Sequence, residues 1–262
     1  MQHLRLQQKS SQLTMELFYT TPKNLEGSRT EIALEGDEFH HLVRVVRKKP
    51  GDEVLLTDGN GSRFHVRIRE IGKQRLTADI LTRSIYPPSP TAVTVAMSLL
   101  KTPHRFDLFL EKATELGVTA IIPMITARTI ALPPKERIQG KLDRWQGIVL
   151  SASRQSKRLF LPRIHEPLSF AKVLDRDEYD LRILAHESSE QNPLIDFAEK
   201  NVLFMIGPEG GFTSEEVSRA RSCGVLESSL GHTILRAETA GVFAVAMVRA
   251  RLLETPFSEK WL

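Results

Sequence analysis

Two segments near the end of the chain carry residue types that could hold a small ligand. They are IGPEGGFTSEE (206–216) and LGHTILRAET (230–239). Glycines let backbone atoms approach a ligand closely. The first segment lacks the GK[ST] of a P-loop and the spacing of the Rossmann motif, and its Glu209 would repel a phosphate. The pattern favours a ligand without phosphate that bears an amine, ribose hydroxyls or a sulfonium, as S-adenosylmethionine does.

These segments follow apolar runs in a region where strand and helix patterns alternate. Helices are predicted over 103–117, 133–158, 192–200, 213–224 and 237–254, and strands over 91–100, 118–126, 179–187, 201–207 and 225–230. Such alternation predicts a mostly parallel sheet covered on both faces, that is, an α/β fold. Ligands bind beyond the carboxyl ends of strands in open α/β sheets. LAHE (184–187) and the two glycine-containing segments fall at such ends. A capping box is predicted at Thr213 and Glu216.

The chain upstream of Thr91 has a different pattern. Residues 1–14 show no apolar periodicity and are predicted to be a flexible extension. Residues 15–86 are predicted to form the first domain. A short helical pattern at 36–47 is followed, over 50–84, by short Val-, Ile- and Leu-rich runs that alternate in polarity between glycine-containing turns, which predicts a small antiparallel β unit, a barrel. The segment YPPSP (86–90) is predicted to be the domain boundary, so that 91–262 form the second domain.

Charge indicates a polyanionic partner, RNA or DNA. The 262-residue chain has a net charge of +4, with nine Lys/Arg against two acids between Arg128 and Arg163, and a second basic run at 44–49. A solvated surface is the alternative for either cluster alone. The single Cys223 and the polar N-terminus indicate the cytoplasm, and no apolar run predicts a membrane span. His40 and His41 are adjacent and lack partners at ligand spacing, so no metal is expected.

Five segments, in order, resemble the ribosomal RNA small subunit methyltransferase E family of the SPOUT superfamily. They are EFHHLVRVVRKKPGDEVLLTDGNG (38–61), SLLK (98–101), LEKATELGVTAIIPMITART (110–129), GPEGGFTSEE (207–216) and SLGHTILRAETA (229–240). The resemblance implies an N-terminal PUA-like RNA-binding β-barrel and a C-terminal SPOUT α/β domain with a trefoil knot. It also implies a homodimer that binds S-adenosylmethionine in the knot and methylates N3 of a uridine in 16S rRNA of the small ribosomal subunit.

The resemblance also implies site residues. The expected cofactor contacts are Leu184, Ala185, His186, Gly207, Glu209, Gly210, Leu230, Gly231, Ile234, Leu235, Arg236 and Thr239. The expected RNA contacts are Arg44, Arg47, Lys101, Arg105, Arg128, Arg154, Gln155, Lys157 and Arg158. The run SASRQSKR (151–158) departs from the family pattern, because Arg154 stands where an acid is usual and Lys157 where glycine is usual. Arg154 is either an RNA contact specific to this lineage or a surface position free to drift.

Methylation of uridine N3 requires loss of the proton that N3 carries. Arg236 is the candidate to stabilise the uridine anion, and Glu209 and His186 are the candidates to take the proton. Each also has a structural alternative: a salt bridge for Arg236, a turn cap for Glu209 and a bystander hydrogen bond for His186. Two rival functions remain, a non-catalytic RNA-binding assembly factor and a SPOUT enzyme acting on another base or on tRNA.

Overall fold

A computed structural model describes residues 15–20, 30–130, 132–187 and 195–253. The predicted extension at 1–14 lies outside these residues. The described chain forms two compact units. Residues up to Pro88 together with Ser153–Leu161 make the first unit, and Ser89–Ala152 with the residues from Pro162 onward make the second. The predicted second domain began at residue 91 and included 153–161, which the structure groups with the first unit instead.

The first unit is a five-stranded sheet with a short helix. Its elements are β1 (Leu17–Tyr19), β2 (Glu31–Glu35), α1 (Gly36–His40, continuing as a π-helical turn, His41–Val45), β3 (Glu53–Thr57), β4 (Ser62–Ile71) and β5 (Arg75–Ile85). The strand order is β1-β3-β4-β5-β2. The strands β3, β4 and β5 pair antiparallel as predicted, whereas β1 pairs parallel to β3.

Alternation along β4 explains how this unit builds a core. Phe64, Val66 and Ile68 point to one side and are almost fully buried, as the period of two requires. They pack with apolar side chains of β2, β3 and α1 in one cluster. Two register shifts in the β4–β5 pairing mark irregularities of the kind that bend a sheet. β1 and β2 are the ends of the strand order, so the structure shows a sheet and the closed barrel stays a prediction.

The second unit is a parallel sheet with helices on both faces, which confirms the predicted α/β class. Its elements are β6 (Ala92–Ser98), α2 (Pro103–Leu116), β7 (Ala120–Ile125), α3 (Ile138–Gln155, whose last turn is in the first unit), β8 (Arg163–Ile164), β9 (Leu168–Ser169), α4 (Phe170–Leu174), β10 (Leu181–Ala185), β11 (Asn201–Ile206), α5 (Ser214–Ser222), β12 (Leu226–Ser228) and α6 (Ala237–Leu253). The order is β12-β10-β11-β6-β7-β8, with β9 also paired to β7. Every pairing in this sheet is parallel.

Each face of this sheet has its own core. Val93, Val95 and Met97 of β6 lie in a cluster with side chains of α2, α3 and α6. Ala96, one residue out of phase, lies in the opposite cluster with side chains of α4 and α5. This double coverage explains why the strands are apolar without alternation. Within the described residues, no helix is long and apolar enough to cross a membrane.

Helix ends agree with their sequence signals. Pro103 begins α2, and Gly117 ends it with a φ of 100°, the left-handed conformation that glycine adopts without steric cost. Thr213 and Glu216 form the predicted capping box of α5, in which each side chain accepts a hydrogen bond from the other residue's backbone N–H. The helix predicted over 192–200 is wrong for the described residues 195–200, which carry only a turn.

Glycine contacts yield a prediction about packing. A Cβ added at Gly241 of α6 would lie 2.7 Å from two ring atoms of Phe109 on α2, whereas one added at Gly147 of α3 would meet no atom within 4 Å. Gly241→Ala should lower the free energy of unfolding by about 1–3 kcal/mol through overpacking. Gly147→Ala should raise it by about 0.5–1 kcal/mol, because alanine loses less backbone entropy in a helix. Urea unfolding of both variants measures the two changes, and shifts of equal sign would contradict the packing described here.

Candidate functional site

The candidate site lies at the carboxyl edge of the parallel sheet, within the second unit. β10 has β11 and β12 as its two neighbours, and β11 also pairs with β6. The loops that follow these strands therefore leave the same edge of the sheet. The His186 N–H donates to the Ser228 carbonyl at 3.1 Å, which joins the ends of β10 and β12. The sheet thus brings together the three segments that the sequence placed at strand ends.

The glycine-containing loop after β11 is held by residues from neighbouring loops. We call residues 207–213 the 207–213 loop. Glu209 Oε1 accepts a hydrogen bond from the Lys101 N–H at 3.3 Å, beyond the end of β6. The Arg128 guanidinium, beyond the end of β7, donates to the Gly210 carbonyl at 2.5 Å. These contacts connect the loop to the ends of β6 and β7.

A third connection starts at the capping residue of α5. Glu216 Oε2 accepts from the Thr213 N–H at 2.9 Å, and its Oε1 accepts from the Ala127 N–H at 2.8 Å. One carboxylate therefore both caps the helix and fixes the loop after β7. Thr129 completes that loop, because its hydroxyl accepts from the Thr126 N–H at 2.8 Å.

A cleft of about 540 Å³ opens beside these contacts. It is lined by Lys101, Thr102, Arg105, Arg128, Ile130, Glu209 and Gly210. Ile130 is 77% exposed, although its side chain is apolar. The cleft combines cations, one carboxylate and accessible glycine backbone, which suits a ligand with both polar and charged groups.

Arg105 lies between two carboxylates at this cleft. Its Nη1 is 3.9 Å from Glu209 Oε1, and its Nε is 3.7 Å from Glu238 Oε1. The Glu238 side chain is only 8% exposed, and its other oxygen has no hydrogen-bond partner among the described residues. A buried carboxylate is costly without a cation nearby, so Arg105 supports Glu238 in the first turn of α6.

The predicted catalytic residues occupy different surroundings. His186 is half-buried, with Nδ1 3.7 Å from Glu227 Oε2 of β12. Arg236 is exposed just before α6 and forms no ion pair with any described residue. No hydrogen bond or ion pair within the described chain joins Glu209 to His186. The structure therefore places Glu209 at the β6 side of the edge and His186 at the β12 side.

The remaining expected cofactor contacts divide by burial. Leu184 is fully buried, whereas Ala185, Gly207, Leu230 and Leu235 are partly buried. Gly210, Gly231, Ile234 and Thr239 are exposed, with Ile234 at 83%. Leu230 and Leu235 pack against the core on the α2, α3 and α6 face.

The expected RNA contacts fall into two groups, one at the cleft and one in the first unit. Lys101, Arg105 and Arg128 line the cleft. Arg128 donates to a carbonyl of the 207–213 loop, and Arg105 contacts Glu238. Arg44, Arg47, Gln155 and Lys157 are exposed in the first unit, and Arg158 is partly buried there. Arg154 forms an ion pair with Glu38. The sequence predicted Glu216 only in the capping box with Thr213 and predicted no role for Glu238. Their other partners, Ala127 and Arg105, lie far away along the chain.

Comparison with known proteins defines the class. Residues 87–249 match the RNA methyltransferase domain family, and residues 34–81 match the RNA methyltransferase PUA domain. The chain therefore belongs to the RNA methyltransferases and carries an N-terminal PUA domain.

Individual relatives narrow this class. The chain is 31% identical over 240 residues to the ribosomal RNA small subunit methyltransferase E of Mycobacterium bovis, covering 88% of this chain and 90% of that protein. It is 32% identical over 257 residues to the protein of that name from Synechocystis sp., covering 95% and 82%. The solved structure of ribosomal RNA small subunit methyltransferase E from Neisseria gonorrhoeae, bound to S-adenosyl methionine, has a TM-score of 0.79 and 32% identity and covers 90% and 97%. The chain belongs to the ribosomal RNA small subunit methyltransferase E family.

The Arg105–Glu238 contact yields a prediction about the stability of the site. Arg105→Ala should lower the free energy of unfolding by about 1–3 kcal/mol, because it leaves the buried Glu238 carboxylate without its cation. Adding Glu238→Gln should recover part of that loss, since a neutral amide has no charge to compensate. Urea unfolding of both single variants and the double variant measures the coupling.

Lys112→Ala on the same helix is the matched control. Lys112 pairs with Glu111 and Glu115 on the exposed surface, where ion pairs contribute little. Strictly additive effects of Arg105→Ala and Glu238→Gln would show that the two side chains do not support one another.

Proposed function

We propose that this protein transfers a methyl group from S-adenosylmethionine to N3 of a uridine in 16S rRNA of the small ribosomal subunit. Membership of the ribosomal RNA small subunit methyltransferase E family is the observation that carries the proposal. The 207–213 loop supports it, because that loop offers glycine backbone and a carboxylate where the sequence reasoning placed a sulfonium ligand. The relative from Neisseria gonorrhoeae is bound to S-adenosyl methionine, which supports the same cofactor here.

The residues at the sheet edge fit that cofactor. Gly210 is exposed at the cleft, and a Cβ there would approach Arg128 to 3.3 Å, so the absence of a side chain keeps the loop backbone accessible. The Glu209 carboxylate suits a ligand that carries positive charge, and the exposed Ile234 offers an apolar surface. The residues that would hold the cofactor are 184–186 at the end of β10 and those of the loops after β11 and β12. When bound, S-adenosylmethionine supplies a methyl group activated by its sulfonium.

The chain itself must manage the proton on uridine N3. Removal of that proton leaves negative charge on the uracil ring, and a nearby guanidinium would stabilise it. Arg236 fits this role, because its exposed side chain is not committed to an ion pair within the described residues. Glu209 and His186 are the proposed proton acceptors. Of these, Glu209 is the one that lines the cleft.

The homodimer, the trefoil knot and the cytoplasmic location are further parts of the proposal. The homodimer and the knot rest on the family resemblance, and the cytoplasmic location rests on the single Cys223. The intact GPEGG and LGHTILRAET segments disfavour a non-catalytic assembly factor, and the N-terminal position of the PUA domain disfavours a SPOUT enzyme with another RNA substrate.

Analysis of rRNA from cells that lack the protein tests substrate and reaction together. Mass spectrometry should show loss of a single 3-methyluridine from the small-subunit rRNA, with the other modifications unchanged. Restoration by the wild-type gene is the control. An unchanged modification map would contradict the proposed reaction, and loss of a different modified base would support the alternative SPOUT activity.

Replacement of Gly210 tests the cofactor site. Gly210→Val should abolish S-adenosylmethionine binding in calorimetry, because a branched side chain would fill the space beside the loop backbone. Gly210→Ala is the graded control and should retain measurable binding, since its Cβ faces the flexible Arg128 side chain. Equal affinity of wild type and Gly210→Val would move the cofactor away from this loop. No binding by the wild type would favour the non-catalytic alternative.

A further inference from the structure

The last turn of α3 and the residues that follow it are built into the N-terminal unit. We call Ser153–Leu161 the 153–161 segment. The Leu161 N–H donates to the Gly59 carbonyl at 2.9 Å, and the Gly61 N–H donates to the Leu159 carbonyl at 3.0 Å. This reciprocal pairing attaches the end of the segment to the turn between β3 and β4, as an added strand would be attached.

Side chains attach the beginning of the segment. Arg154 forms an ion pair with Glu38 in the first turn of α1. The Tyr19 hydroxyl of β1 donates to the Arg158 carbonyl at 2.7 Å. Burial raises the pKa of Tyr19 to about 12, so this hydroxyl keeps its proton at neutral pH. The segment is therefore held at both ends by residues of its own unit.

The Arg154–Glu38 pair is largely buried. The two side chains are 21% and 15% exposed, and one further polar atom of each is buried without a hydrogen-bond partner among the described residues. A phosphate that drew Arg154 away from Glu38 would leave Glu38 as a buried, unpaired carboxylate. Such a loss is strongly destabilising. The charge of Arg154 is thus used inside the protein.

Other residues near Arg154 are exposed, in contrast to the largely buried Arg154–Glu38 pair. Gln155 and Lys157 are exposed. Lys157 has a φ of 54°, which is uncommon for a residue with a side chain and fixes how it leaves the turn. Arg44 and Arg47, which follow the helix that holds Glu38, are exposed as well. The Arg154–Glu38 ion pair joins the segment that carries Lys157 to the helix that leads to Arg44 and Arg47, and cations of this kind contact phosphate backbones.

We propose that Arg154, through its ion pair with Glu38, positions the surface on which the family resemblance places the RNA contacts Arg44, Arg47, Gln155 and Lys157. Arg154 is a positioning residue of this surface: it holds the 153–161 segment through Glu38 and does not contact RNA. The inference rests on the proposed function only in that the protein binds rRNA. It replaces both earlier interpretations of Arg154, because a buried ion pair is neither an RNA contact nor a position free to drift.

Exchanging the charges at positions 38 and 154 distinguishes two roles for Arg154, anchoring the segment and contacting RNA. Glu38→Arg with Arg154→Glu keeps the net charge and can rebuild the pair in reverse. Affinity for transcribed small-subunit rRNA is measured as a function of salt concentration. The slope of log affinity against log salt should equal that of the wild type. A fall in slope by about one, the value expected for one lost phosphate contact, would place Arg154 on the RNA.

A second double variant covers the case in which the exchange does not fold. Glu38→Leu with Arg154→Met replaces the pair by apolar side chains of similar size, a change that buried ion pairs often tolerate. This double variant removes the cation at position 154, so its slope of log affinity against log salt is again compared with that of the wild type. An unchanged slope supports the anchoring role, and a slope reduced by about one overturns it.

Lys157→Asn tests the surface itself. Asparagine tolerates positive φ, so this substitution removes the charge and keeps the turn. The slope should fall by about one, with the thermal unfolding midpoint unchanged. An unchanged slope would overturn the proposed surface while leaving rRNA binding intact. Absence of wild-type binding to the rRNA would instead refute the proposed function.

Discussion

The candidate site depends on how the 207–213 loop is held. A glycine-containing turn has many accessible conformations, and fixing it costs backbone entropy. Here the loop is fixed from outside: the Lys101 N–H holds Glu209, and Arg128 holds the Gly210 carbonyl. Glu216 extends the same restraint to the loop after β7. A loop ordered before its ligand arrives loses less freedom on binding, which is the physical basis of preorganised sites.

Many cations near the proposed RNA and cofactor surfaces are engaged inside the protein. Arg105 supports the buried Glu238, Arg128 holds a carbonyl, and Arg154 pairs with Glu38. A count of basic residues therefore overestimates the charge available to RNA. Lys157 and Arg47 differ from these three in being exposed.

Sequence patterns were sufficient where local physics decides the structure. Apolar runs predicted β6 and β11, and capping signals predicted the start of α5 at Thr213. They failed where the signal is short: β8 and β9 have two residues each, α4 has five, and the helix predicted near 195–200 is absent from those residues. Elements of this length have no periodicity to detect, and tertiary contacts decide them.

The site was predicted in outline, and its supporting contacts were not. Strand-end logic located the 207–213 loop and the segment before α6. The partners of Glu209 and Arg154 are 108 and 116 residues away along the chain, and no local pattern encodes such pairings. The grouping of the 153–161 segment with the first unit was missed for the same reason, because the helical pattern continues through Ser153 without interruption.

Hydrogen exchange with and without S-adenosylmethionine tests whether this sheet edge holds the cofactor, because it follows the backbone amides of the proposed cofactor loops. We expect slower exchange on addition of cofactor in residues 207–213 and 230–236, with little change in β3 to β5. Unchanged exchange in both loops at saturating cofactor would contradict the assignment of this sheet edge as the cofactor site.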